Sequence, residues 1–80
     1  MNELYIVVYR NFNGEIFIHK EKTLLDAVCQ KKGYLEQLPF AVENNQLSKM
    51  EIDIVMNNLK KYGKDHYCNG RDDISIFHIP

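Results

Sequence analysis

The stretch LSKMEIDIVMNNLKKYG, residues 47–63, contains in order every signal a helix needs. Ser48 and Glu51 form an S-x-x-E capping box, in which the Ser48 hydroxyl accepts from the backbone N–H three residues on and the Glu51 carboxylate reaches back to the Ser48 N–H. Leu47 and Ile52 flank the cap as a hydrophobic staple. Ile52, Val55, Met56, Leu59 and Tyr62 then recur at helical spacing, and Lys60 and Lys61 suit the negative end of the helix dipole before Gly63 stops the helix. One face of this helix is apolar and must be buried against something else. The remaining sequence supplies that partner.

Upstream, residues 4–9 and 15–20 are rich in β-branched and aromatic residues and are joined by Asn11-Phe12-Asn13-Gly14, which predicts a β-hairpin. Asn13-Gly14 is the dipeptide favoured in a two-residue type I′ turn. With Phe12 and Glu15 flanking that turn, Tyr5, Val7, Tyr9, Ile16 and Ile18 share one face, and Ile6, Val8, Arg10, Phe17 and His19 share the other. Thr23 caps a first helix through Leu24, Leu25, Ala27 and Val28, with Asp26 in its first turn. That helix is expected to continue past Gly33 to Leu38, with Pro39 as the stop. Residues 40–46 read as a loop. After Gly63 a polar connection leads to a last strand, residues 74–79, pairing with either the first or the second strand.

The order is ββααβ and the class α+β: a three-stranded sheet, made of the N-terminal hairpin and the C-terminal strand, with two antiparallel helices packed on one face. Residues 1–80 read as a single domain. So short a chain buries only about 60–65% of its unfolded surface. With 45% hydrophobic residues it is too apolar for a disordered tail.

Two helices cover only one side of such a sheet, so the other side should be polar in a solvated monomer. Here both sides are apolar. The stronger set, Tyr5, Val7, Tyr9, Ile16 and Ile18, is assigned to the helices. The candidate interface on the other side is Ile6, Val8, Arg10, Phe17, His19 and Phe77, and the last strand divides likewise, Ile74 and Ile76 from Phe77 and Ile79. This patch is at the upper end of what monomers usually expose, which predicts a homodimer or a host-protein partner unless a helix or the 40–46 loop folds over it or scattered apolar residues are simply tolerated there.

Chemistry is poorly represented. His66 and Cys68, even with Cys29, His19 or His78, lack the paired spacing of structural zinc ligands, so no metal is expected. Cys68 with His66 and Asp65 or Asp72 has the residue types of a thiol nucleophile but no substrate pocket to serve. Asp72 and Asp73 are neighbours before a strand and so point to opposite faces, which suits a solvated turn better than a carboxylate pair. No Gly-rich phosphate loop is present, and no cofactor or small-molecule substrate is implied. The two cysteines read as free thiols, since a secreted domain of this size usually carries more of them.

The formal net charge of −1 supplies no field toward nucleic acid or membrane. A nucleic-acid-binding module using the lysines and strand aromatics is the competing class, against which stand eleven acids and the absence of an RRM-type motif. The longest apolar run, residues 4–9, is far short of the roughly 20 residues needed to span a bilayer, and no basic leader precedes it. A cytoplasmic location follows as the expectation. Lys outnumbers Arg eight to two, which fits an AT-rich coding sequence from a low-GC bacterium or phage. The composite expectation is a non-enzymatic protein-binding domain, such as a phage or mobile-element inhibitor of a host protein.

Overall fold

A computed structural model of the chain describes residues 3–36 and 47–80. The elements are β1 (Leu4–Arg10), β2 (Ile16–Glu21), α1 (Leu24–Leu35), α2 (Lys49–Tyr62), β3 (Lys64–Cys68) and β4 (Asp73–Ile79). The class is α+β, with two helices and one antiparallel sheet among the described residues, in the order β2-β1-β4-β3. The sheet has four strands rather than three. The C-terminal strand pairs with β1 on one side and with the unforeseen β3 on the other.

Both helices start where local chemistry dictates. Thr23 Oγ1 accepts from the Asp26 N–H at 3.1 Å. At α2 the capping box is complete, Glu51 N–H to Ser48 Oγ at 3.2 Å and Ser48 N–H to Glu51 Oε2 at 2.6 Å, and the bond from the Ser48 backbone holds the Glu51 carboxyl below its usual range. Gly63 ends α2 at φ 78°, a left-handed conformation that a side chain would strain, and its N–H returns to the Leu59 carbonyl. Helix α1 does run through Gly33, ending at Leu35. The expected continuation to Leu38 and Pro39, and the 40–46 loop, lie outside the described residues.

The hairpin differs from expectation by one residue, and the consequence is large. Asn11, not Phe12, opens the turn. Its carbonyl accepts from the Gly14 N–H, its N–H donates to the Glu15 carbonyl, and its Oδ1 accepts from the N–H groups of Asn13 and Glu15. Gly14, at φ 82°, supplies the left-handed residue that completes a three-residue loop of the type I turn plus bulge kind. An odd loop reverses the parity of β2: Tyr9 faces Phe17 and Val7 faces His19, whereas Val8 faces Ile18 and Arg10 faces Ile16. Ile16 and Ile18 are therefore on the face away from the helices, and Phe17 and His19 are on the helix side.

The core lies on the helix side of β1 and β4. Tyr5, Val7, Ile74 and Ile76 from the sheet pack with Ala27 and Val28 of α1 and Val55 of α2. Helix α1 lies over β1 and β2, and α2 over β3 and β4. Tyr34 of α1 stacks on Tyr9 with ring centroids 4.2 Å apart and hydrogen-bonds His19. Among the described residues no helix is long and apolar enough to cross a membrane.

Candidate functional site

Cross-strand register lays out the face that no described helix covers. Reading from β2 through β1 and β4 to β3, one row is Ile16, Arg10, Asp73 and Cys68, the next Ile18, Val8, Ser75 and His66, and the next Lys20, Ile6, Phe77 and Lys64. Leu4 and Ile79 close it at one end. Ile18 is 62% exposed, Ile16 61%, Ile79 49% and Phe77 37%. Flanking Ile6 and Val8, they form a contiguous apolar band on the order of several hundred Å².

Of the six residues named from sequence, Ile6, Val8, Arg10 and Phe77 share this face, and Phe17 and His19 do not. The same change of parity adds Ile16 and Ile18, so the patch is more apolar than expected. Charge borders it. Arg10, Lys20 and Lys64 stand against a single carboxylate, Asp73, in a chain whose formal net charge is −1. The strand aromatics Tyr5, Tyr9 and Tyr67 lie on the helix side, leaving only Phe77 on the open face.

Asp73 organises one corner of this face. It accepts from His66 Nε2 at 2.8 Å, from the Arg10 guanidinium, and from the Cys68 thiol. The bond from His66 contributes most, followed by that from Arg10, and the carboxyl is held at about 2 against an ordinary 3.8. Asp72 points the other way and accepts from the Tyr9 hydroxyl at 3.1 Å, so the two aspartates do divide between faces. The partner of His66 is thus Asp73, rather than Asp65 or Asp72. A thiol nucleophile would need the imidazole to take the thiol proton. Here both the thiol and the imidazole direct hydrogens at one carboxylate, an arrangement that fixes strands rather than activates sulfur.

The depressed pKa gives Asp73 a defined signature. Because the folded value lies below the unfolded one, the stabilisation is fully present above about pH 4 and is lost as pH falls through about 2. Urea unfolding at a series of pH values should show this loss in the wild type and a flatter profile in Asp73→Asn. Identical slopes between about pH 4 and 2 would contradict the assignment.

The other polar centre is buried. Asp65 of β3 is 1% exposed and accepts from Lys31 Nζ at 2.8 Å and from Asn58 Nδ2 at 2.7 Å. One carboxylate therefore ties α1, α2 and β3 together. Cys29 is buried and burial raises its thiol pKa, which suits a small core residue, whereas Cys68 is exposed; neither forms a disulfide. Considered as metal ligands, the histidines and cysteines are dispersed. His19 and His78 both lie on the helix side, but His19 is engaged by Tyr34 and His78 stacks on Tyr5 at 4.6 Å; Cys29 is in the core, and His66 and Cys68 lie on the open face. The described residues contain no group of three His, Cys, Asp or Glu able to hold a metal.

An apolar hollow of about 180 Å³ lies between the helices, lined by Val28, Leu35, Ile54 and Val55 with Lys31 and Glu51 at its rim. It is smaller than the ~300 Å³ at which small-molecule sites usually begin. No family model matches this chain, and neither a curated protein nor a solved structure matches it.

Proposed function

We propose that this chain is a small non-enzymatic domain that binds another protein through the open face of its sheet. The observation that carries the reading is the continuous band of Ile16, Ile18, Val8, Ile6, Phe77 and Ile79, with its four outermost members between 37% and 62% exposed. Water-exposed apolar area of that extent is costly unless a partner removes it. The surplus of cations around the band fits a partner whose own apolar ridge is bordered by acids. Small size and a lysine-rich, arginine-poor composition suit an inhibitor of a host protein, carried by a phage or mobile element and acting in the cytoplasm of a low-GC bacterium.

Affinity capture from such a lysate, followed by titration of the captured protein, tests the reading. Phe77→Asp places a charge in the middle of the band and should weaken binding by about 30-fold or more, as expected for a central interface residue. Met50→Asp, at a 71% exposed position on α2, should bind like wild type. If Phe77→Asp folds and binds with unchanged affinity, the open face is not the interface.

A further inference from the structure

The two edges of the sheet are built differently. β3 carries Lys64, Asp65 and His66, charged or polar groups of the kind that discourage another strand from pairing. β2 offers Ile16, Phe17 and Ile18 in succession, exposed on both faces of the sheet. This apolar half of the strand is a template for β-pairing, because the charged and polar residues His19, Lys20 and Glu21 guard only its other half.

Its backbone is also available. The Asn11 N–H donates to the Glu15 carbonyl, so residues 11 and 15 are a hydrogen-bonded pair. Such pairs alternate along an antiparallel ladder, so residues 17, 19 and 21 direct their N–H and C=O groups toward β1. Ile16, Ile18 and Lys20 direct theirs outward, past the last strand of the sheet.

We propose that a second copy of this chain occupies this edge, its β2 antiparallel to the first about a twofold axis through Phe17 and perpendicular to the sheet. Parity restricts the register, and charge sets it above the neighbouring one centred on Ile18. Matching outward groups restricts pairing to even with even residues, which also keeps each face continuous across the junction. With the axis at Phe17, Ile16 lies opposite Ile18 of the second copy, twice by symmetry, and Glu15 lies opposite its His19. Moving the register by two residues, with the axis at Ile18, would instead set Glu15 opposite Glu21, two like charges. The result is one eight-stranded sheet in which the two open faces become neighbours. Pairing relies on backbone groups and edge side chains, so it does not rest on the open face being an interface.

The experiment is sedimentation over a concentration series combined with amide hydrogen exchange on the intact chain. A dimer of twice the 9.5 kDa chain is expected, with the amides of Ile16 and Ile18 becoming protected as the dimer forms. Ile18→Pro removes an outward N–H from an edge strand, where proline is tolerated, and should yield a folded monomer. Phe17 stands opposite itself at a non-hydrogen-bonded position, where Cα atoms approach to about 4.5 Å, so Phe17→Cys in a Cys68→Ser background should cross-link on mild oxidation. If Ile18→Pro fails to fold, the exchange pattern and the cross-link decide the matter. A protein that stays monomeric to about 1 mM overturns the proposal. So does a dimer in which the Ile16 and Ile18 amides stay unprotected, which would instead mark association through the open face. Protection of those amides only on adding a captured partner protein would likewise overturn self-pairing.

Discussion

Asp65→Ala is expected to destabilise the fold by about 3–5 kcal/mol, the usual cost of removing one member of a buried ion pair. A domain of this length has on the order of 4–12 kcal/mol in total, so much of the population should unfold at moderate temperature. The size of the effect follows from what the carboxylate holds. Lys31 Nζ has been drawn against it from α1 and is only 14% exposed at its side chain, and Asn58 approaches from α2. Without the carboxylate the ammonium loses its charge partner, the Asn58 amide loses an acceptor, and β3 loses this polar tie to both helices. Equilibrium urea unfolding checks the value. A shift under about 1 kcal/mol would mean that Lys31 escapes readily to solvent along its flexible stem. Replacing the pair together, Asp65→Leu with Lys31→Met, should recover most of the loss, because an apolar pair incurs no cost of burying charge.

How much of this was legible depended on how local each determinant is. The caps at Thr23 and Ser48 and the stop at Gly63 are fixed by side chains within four residues, and each is found where the sequence puts it. The division of Ile74 and Ile76 from Phe77 and Ile79 follows from strand periodicity alone. The β1–β2 register was not legible in the same way, because Asn13-Gly14 serves a two-residue loop or the end of a three-residue one. The choice was made by the Asn11 side chain, which accepts two backbone N–H groups across the loop. An asparagine two residues before Asn-Gly is the signal that could have revealed it.

β3 lacked any apolar alternation to announce it. Its sequence, Lys-Asp-His-Tyr-Cys, reads as a connection, and the strand exists because Asp65 is bound from the helices while β4 supplies the ladder. Asn69-Gly70 behind it was the one hairpin signal, and Asn69 Oδ1 does cap that turn by accepting from the N–H groups of Arg71 and Asp72. For the candidate face, apolar positions on β1 and β4 were readable and those on β2 were exchanged. A single loop residue decides that exchange, so which β2 residues lie on the open face is specified only by the register.

Ile76→Ala should cost about 2–5 kcal/mol, from lost transfer energy and from the cavity left behind. Ile76 is fully buried and lies in register between Val7 of β1 and Asp65 of β3. It therefore has two tasks, filling the centre of the core and keeping water from the ion pair beside it. The second task predicts a coupling that packing alone would not produce. In a double-mutant cycle of Ile76→Val with Asp65→Asn, mild enough to leave both variants folded, the two losses should be less than additive by about 0.5 kcal/mol or more. Once the cavity admits water to the carboxylate, solvent takes over part of what Lys31 and Asn58 supply, and removing the charge costs less. Ile74 is the control. It is equally buried but lies in register between Tyr9 and Tyr67, so Ile74→Val should add to Asp65→Asn without a coupling term. Equal coupling at both isoleucines would show that the core relaxes as a whole and that Ile76 has no particular role in shielding the ion pair.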